Sequence, residues 1–145
     1  MNFRTYAAAS MLLVVFGFAV YAADTAVEDL KCPVSGQPVN PEAFVEHNGG
    51  KVYFCCENCP KKFSADPAKY AAKANHQMAQ SGQLKQTACP ITGKAAKDST
   101  AIDVQGVSVA FCCNNCKGKV AKATGDEQLE LVFGEKAKGW ETASK

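Results

Sequence analysis

Four cysteines occur twice along this chain with the same spacing, and this repeat limits the possible folds more than any other feature. The two sets are Cys32, Cys55, Cys56 and Cys59, and then Cys89, Cys112, Cys113 and Cys116. Each cysteine of the second set follows its counterpart by 57 positions, and Phe54 and Phe111 keep the same offset. A fixed period indicates a duplicated supersecondary unit. We therefore predict two tandem modules.

Neither module is long enough to bury a large apolar core, because the whole chain has 145 residues. Domains of this size usually depend on metal ions or disulfides for stability. The eight cysteines could supply either.

Local signals give both copies the same order of elements. Cys32-Pro33 and Cys89-Pro90 each start a tight turn that ends in Gly, which we call the knuckle. A hairpin follows, with its turn at Asn48-Gly49-Gly50 or at Gln105-Gly106. The cluster Cys-Cys-x-x-Cys then begins a short helix. This order predicts an α+β fold.

The remaining signals set the boundaries. In the first copy, Asp66-Pro67 indicates a second helix that extends to Gly82, with Asp66 as its N-cap. In the second copy, Gly125 and Gly134 enclose a second such segment, and Trp140 stands alone beyond it. The predicted units are a signal peptide at 1–22, a first module at 30–82, a linker at 83–87, a second module at 88–134 and a tail at 135–145.

The N-terminus has the layout of a secretory signal. Arg4 precedes an uncharged stretch that contains the apolar run 11–20, and small residues allow cleavage after Ala22. An uncleaved anchor is the alternative, because the uncharged stretch approaches the ~20 residues that span a bilayer. Either reading predicts export, to the periplasm or the exterior. Membrane attachment is expected only if the segment is uncleaved.

Thiolates brought from distant segments to one point are suited to a soft metal ion. The spacing C-x22-C-C-x2-C achieves this with little chain, and a helix N-terminus favours the thiolate form. We predict about one Zn²⁺ or Cu⁺ per module. The candidate metal ligands are Cys32, Cys55, Cys56, Cys59, Cys89, Cys112, Cys113 and Cys116.

These residues resemble the YHS and TRASH family of heavy-metal-binding domains, over approximately residues 30–70 and 87–124. The resemblance implies treble-clef-like modules, a role in metal sensing, trafficking or resistance, and no catalytic residues. Its pattern of one Cys, a spacer and C-x3-C matches Cys32, Cys55 and Cys59, and likewise Cys89, Cys112 and Cys116.

The chain departs from this pattern at two places in each copy. Gln37 and Lys94 stand where the family often has a Met that could bind copper. Cys56 and Cys113 stand where it commonly has Ser. These extra cysteines could complete a four-thiolate zinc site, or they could point away from the ion.

Two other interpretations of the cysteines remain open. Disulfides are common in exported proteins with an even number of cysteines. Either disulfides or zinc could then stabilise a structural scaffold that binds another exported protein and has no metal-handling role. The C-x-x-C spacing also occurs in thiol oxidoreductases, but no βαβ pattern accompanies it.

Other classes of function are not favoured. The net charge is only +2 and Arg4 is the only Arg, so a nucleic-acid partner is not expected. His47 and His76 have no counterpart in the second copy, and we predict that they are surface residues. No catalytic constellation is apparent, and an enzyme is not predicted.

Overall fold

Residues 26–143 are described by a computed structural model of the chain. The predicted signal peptide lies outside the described residues. The helices are α1 (Asn58–Ala65), α2 (Pro67–Gln80), α3 (Asn114–Lys122) and α4 (Gly125–Phe133), with a short 3₁₀ turn at Val27–Asp29. The strands are β1 (Asn40–His47), β2 (Gly50–Phe54), β3 (Leu84–Gln86), β4 (Lys97–Val104), β5 (Val107–Phe111) and β6 (Trp140–Thr142). The prediction of a mixed α+β chain with two small cysteine-rich modules is confirmed.

The two predicted hairpins are present and closely alike. β1 pairs with β2 and β4 pairs with β5, both antiparallel, and in both the first strand has an irregularity before the register settles. Asn48 and Gly49 at the first turn have φ of 49° and 79°, and Gln105 and Gly106 at the second have 51° and 88°. Positive φ at two consecutive residues is the geometry of a type I′ turn, which matches the twist of the strands.

Each hairpin packs against the helices that follow it. In the first module, Val52 and Phe54 lie in a core with Phe63 of α1 and Met78 of α2. In the second, the matching core contains Val109 and Phe111 with Val120 of α3 and residues of α4. α2 begins as predicted, because the Asp66 carboxylate accepts a hydrogen bond from the backbone N–H of Lys69.

The two modules pack against each other through α2 and α4. Ala72 of α2 lies in the core of the second module, and the Asn75 side chain donates to the carbonyl of Phe133 at 2.8 Å. His76 is buried and pairs with the carbonyl of Gln105 at 3.0 Å, so the prediction that it is a surface residue is wrong. The modules therefore form one packed unit.

The segments predicted as a linker and a tail form a third antiparallel pair, β3 with β6. Trp140 is packed against both cores, and its Nε1 donates to the carbonyl of Val132 at 2.8 Å. Thr142 donates through Oγ1 to the carbonyl of Asn48 at the tip of the first hairpin. The C-terminal segment thus joins the two modules.

Among residues 26–143, no helix has the length and apolar character needed to cross a membrane.

Replacing Trp140 with Ala should lower the free energy of unfolding by about 2–3 kcal/mol, because it removes packing from both cores and leaves the Val132 carbonyl unpaired. Trp140→Phe keeps most of the packing and should cost about 1 kcal/mol. Urea denaturation at fixed zinc concentration measures both values. A Trp140→Ala variant as stable as the parent would show that the C-terminal segment does not hold the modules together.

Candidate metal centre

The knuckles hold the first cysteine of each module in a closed turn. The backbone N–H of Cys32 donates to the carbonyl of Gln37, and that of Gly36 donates to the carbonyl of Cys32, both at 2.8 Å. Gly36 has φ of 72°, a conformation that favours glycine. The same two bonds, also at 2.8 Å, and a glycine with φ of 73° recur around Cys89. The knuckle cysteine is therefore fixed and buried in both copies.

Three cysteines of each module meet at one point. The Sγ atoms of Cys32, Cys55 and Cys59 all lie within 4.8 Å of one another. The second module brings together Cys89, Cys112 and Cys116 in the same way. We call these sets the first and second triads. In each, the knuckle and helix cysteines are buried and the cysteine at the strand end is half-buried.

The distances are those expected around one ion. Cys55 Sγ and Cys59 Sγ are 3.6 Å apart, and Cys112 Sγ and Cys116 Sγ are 3.8 Å apart. Two thiolates bound to a tetrahedral zinc ion at about 2.3 Å would lie about 3.8 Å apart. The two triads are thus close enough to bind a metal ion, and they form two separate sites.

The vicinal cysteines lie at the exposed edge of these sites. Cys56 Sγ is 3.7 Å from Cys55 Sγ and 3.6 Å from Cys59 Sγ, yet Cys56 is exposed. Cys113 is likewise exposed, with its Sγ 3.7 Å from both of its neighbours in the second triad. The structure thus brings all eight predicted ligands to the two sites but leaves these two outside the triads. All eight are free thiols.

A hydroxyl contacts each site from the knuckle. Ser35 Oγ lies 3.1 Å from Cys55 Sγ, and Thr92 Oγ1 lies 3.3 Å from Cys112 Sγ. Each hydroxyl also accepts a backbone N–H two residues later in its own turn. The Ser or Thr of the knuckle therefore both shapes the turn and faces the sulfurs.

The surroundings of the knuckle cysteines favour the anionic form. Burial opposes ionisation of Cys32, but the Ser35 hydroxyl and several backbone N–H groups outweigh it and lower its pKa to about 7. Burial also opposes ionisation of Cys89, but backbone N–H groups, with that of Cys112 foremost, and the Thr92 hydroxyl lower its pKa to about 6. At neutral pH, Cys89 of the metal-free protein is therefore mainly a thiolate, and Cys32 is about half ionised.

The helix cysteines behave in the opposite way. Burial and the neighbouring thiols raise the pKa of Cys59 and of Cys116 to about 12. These sulfurs are in contact with other sulfurs, and a second negative charge at the same point is unfavourable unless a cation is present. A bound metal ion would supply that positive charge, so binding releases protons.

Two glutamines hold the knuckle against the hairpin. Gln77 of α2 donates to the carbonyls of Lys31 and Tyr53 at 2.9 and 2.8 Å and accepts from the N–H of Tyr53 at 2.7 Å. Gln86 of β3 makes the same three bonds to Ala88 and Ala110, which are the equivalent residues of the second copy. One side chain in each module thus fixes the residue before the knuckle cysteine to the strand that leads into the cluster.

Sequence reasoning missed both glutamines. The two glutamines make equivalent contacts from positions that are not equivalent in the repeat, because the residue 57 positions after Gln77 is Gly134. Their role becomes visible only in the structure, where the side chain of Gln77 is polar and yet only 1% exposed. Neither histidine belongs to either triad in the part of the chain that the structure describes.

Comparisons of this chain with family models, with curated proteins and with solved structures find no match.

Replacing Gln77 with Ala should weaken metal binding by the first triad about 10-fold or more, as is typical when a group that orients the ligands is removed. The second triad should keep its affinity. Gln86→Ala is the matched control and should give the reverse pattern. Competition with a chromophoric chelator separates the two sites. Equal weakening of both sites by either change would contradict the role assigned to the glutamines.

The pKa values also predict how the metal-free protein responds to pH. Because the folded-state pKa values of Cys32 and Cys89 lie below the ordinary 9.0, the stability that they contribute is complete above pH 9 and is lost as pH falls through about 7 and about 6, respectively. Ultraviolet absorbance of thiolates should therefore begin to rise near pH 6 to 7, below the range of an ordinary thiol.

Knuckle variants provide the control for this titration. Ser35→Ala should raise the pKa of Cys32 alone, and Thr92→Val should raise that of Cys89 alone, because each removes one hydroxyl that stabilises the thiolate. Absence of any thiolate signal until about pH 9 would contradict the assignment.

Proposed function

We propose that this chain is an exported metal-binding protein that holds one soft ion, Zn²⁺ or Cu⁺, in each triad and serves in metal trafficking, buffering or sensing. The observation that carries the proposal is the recurrence of the same sulfur triad in both modules. The role is one of binding and not of catalysis. Export is proposed from the apolar N-terminal segment that follows Arg4.

The ligand chemistry supports a soft ion. Each triad offers three sulfurs, whereas calcium and magnesium require several oxygen ligands. All eight cysteines are free thiols in the structure, so every sulfur of both triads is available to an ion. Thiolate sulfur is a ligand that both zinc and cuprous ions favour.

The setting of the triads supports a contribution of the ion to folding as well. Each triad joins a knuckle, a strand end and the first turn of a helix, so one ion would link three segments that are distant in sequence. In small domains, the free energy of metal binding is largely free energy of folding. This observation favours a second candidate function, in which zinc stabilises a scaffold that binds another exported protein.

Native mass spectrometry of the full chain, purified without reductant and titrated anaerobically with zinc or cuprous ion, tests the proposal. We expect two ions per chain and eight thiols after denaturation. Cys55→Ser should leave one ion, held by the second triad, and Cys112→Ser should leave one held by the first. Four disulfides with no bound ion would overturn the proposal.

Exchange separates the two candidate functions. A trafficking or buffering protein should release its ions to a competing chelator while it stays folded, as judged by circular dichroism. In a zinc-stabilised scaffold, loss of the ions and loss of the fold should occur together.

A further inference from the structure

We propose that Cys56 and Cys113 are exchange thiols, through which each ion is received from a thiol-bearing donor and passed to a thiol-bearing acceptor. This inference rests on the proposed function and assigns a step to the two cysteines outside the triads. It also names the partner by its chemistry, as a protein or small molecule that presents thiolates.

The sulfur geometry carries the inference. Cys55, Cys56 and Cys59 form a nearly equilateral triangle, with Sγ–Sγ distances of 3.7, 3.6 and 3.6 Å. The equivalent distances in the second module are 3.7, 3.7 and 3.8 Å. Each exposed cysteine therefore contacts two sulfurs of its triad but lies outside the group of three that the knuckle cysteine completes.

Exposure distinguishes the exchange thiols from the other six cysteines. Cys56 and Cys113 are exposed, whereas the six triad cysteines are buried or half-buried. A thiolate from a partner therefore meets the exposed thiol before it meets the two buried sulfurs of each triad. It can bind the ion once the ion is bound to the exposed thiol, at the outer corner of the triangle of sulfurs.

The exchange step is a substitution of one thiolate by another on the metal. A bond forms between the ion and Cys56 Sγ while the bond between the ion and one triad sulfur breaks, and the displaced sulfur accepts the proton that Cys56 releases. A partner thiol then binds the ion and loses its proton, a second triad sulfur leaves the ion and accepts that proton, and further substitutions of the same kind pass the ion to the partner. No electron is transferred, so no oxidant or reductant is needed.

The charges near the exchange thiols indicate what surface the partner presents. α1 and α3 begin at the clusters and contain lysines but no acidic residue: Lys61 and Lys62, and Lys117, Lys119 and Lys122. Complementary charge accelerates association and orients the partner. A partner with acidic side chains around its thiolates fits the second module better, because the exposed Glu57 adjoins Cys56 in the first module whereas Asn114 adjoins Cys113 in the second.

The test is the rate of zinc transfer from the loaded full chain to an excess of a small dithiol chelator. For the double variant Cys56→Ser and Cys113→Ser, we expect the equilibrium affinity to stay within about threefold of the parent, since the triads are intact. The transfer rate should fall by about tenfold or more, because the accessible thiol is lost. Asn58→Ala with Asn115→Ala, in the same exposed turns, is the matched control and should transfer zinc at the parental rate.

Alkylation of the loaded chain by iodoacetamide provides a second readout that does not depend on variants. Mass mapping should find Cys56 and Cys113 modified and the six triad cysteines protected. Protection of all eight cysteines, together with a 100-fold or greater loss of zinc affinity in the double variant, would show that Cys56 and Cys113 are permanent fourth ligands. That result would overturn the inference.

Two further outcomes separate this inference from the function on which it rests. An unchanged transfer rate in the double variant, with normal zinc binding, would overturn the exchange role and leave the proposed function intact. Failure of the parent chain to bind zinc or cuprous ion at all would overturn both.

Discussion

In each module, one glutamine side chain holds the knuckle against the last strand of the hairpin, and the placement of the sulfurs depends on this contact. Gln77 and Gln86 each satisfy three backbone groups that would otherwise lie unpaired beside the site. Because a buried backbone group without a partner costs free energy, the knuckle cannot move far from the strand. Cys32 and Cys89 are therefore held close to the strand-end and helix cysteines before any ion is present.

The same contacts explain why the modules form one unit. Gln77 comes from the helix that packs against α4 of the other module, and Gln86 comes from the strand that pairs with the C-terminal segment. Trp140 contacts both cores from that segment. Elements that fix the metal centres thus also join the modules, which suits a chain whose individual cores are small.

The repeat predicted most of the fold, because a 57-residue offset with knuckle, hairpin and helix signals leaves few alternatives. The hairpins, the first turns of α1 and α3 and the Asp66 cap all depend on local residues, and all are present. The pairing of β3 with β6 could not be predicted, since strands of three residues carry no periodic pattern and their partners are distant in sequence. The glutamines were missed for a related reason: equivalent contacts come from non-equivalent positions. The spacing of the cysteines did not predict which thiols are exposed, because their exposure depends on the backbone conformation at the start of α1 and α3.

The proposed function requires each triad to bind one ion through its three sulfurs. X-ray absorption spectroscopy of the fully loaded protein tests it most directly, because the technique reports the identity and distance of the ligand atoms. For the zinc-loaded protein, we expect cysteine sulfur at about 2.3 Å from each ion, with at most one further ligand per ion. A Cys55→Ser variant should bind half as much zinc and show the same sulfur ligands around the remaining ion. A first shell dominated by nitrogen or oxygen would contradict it.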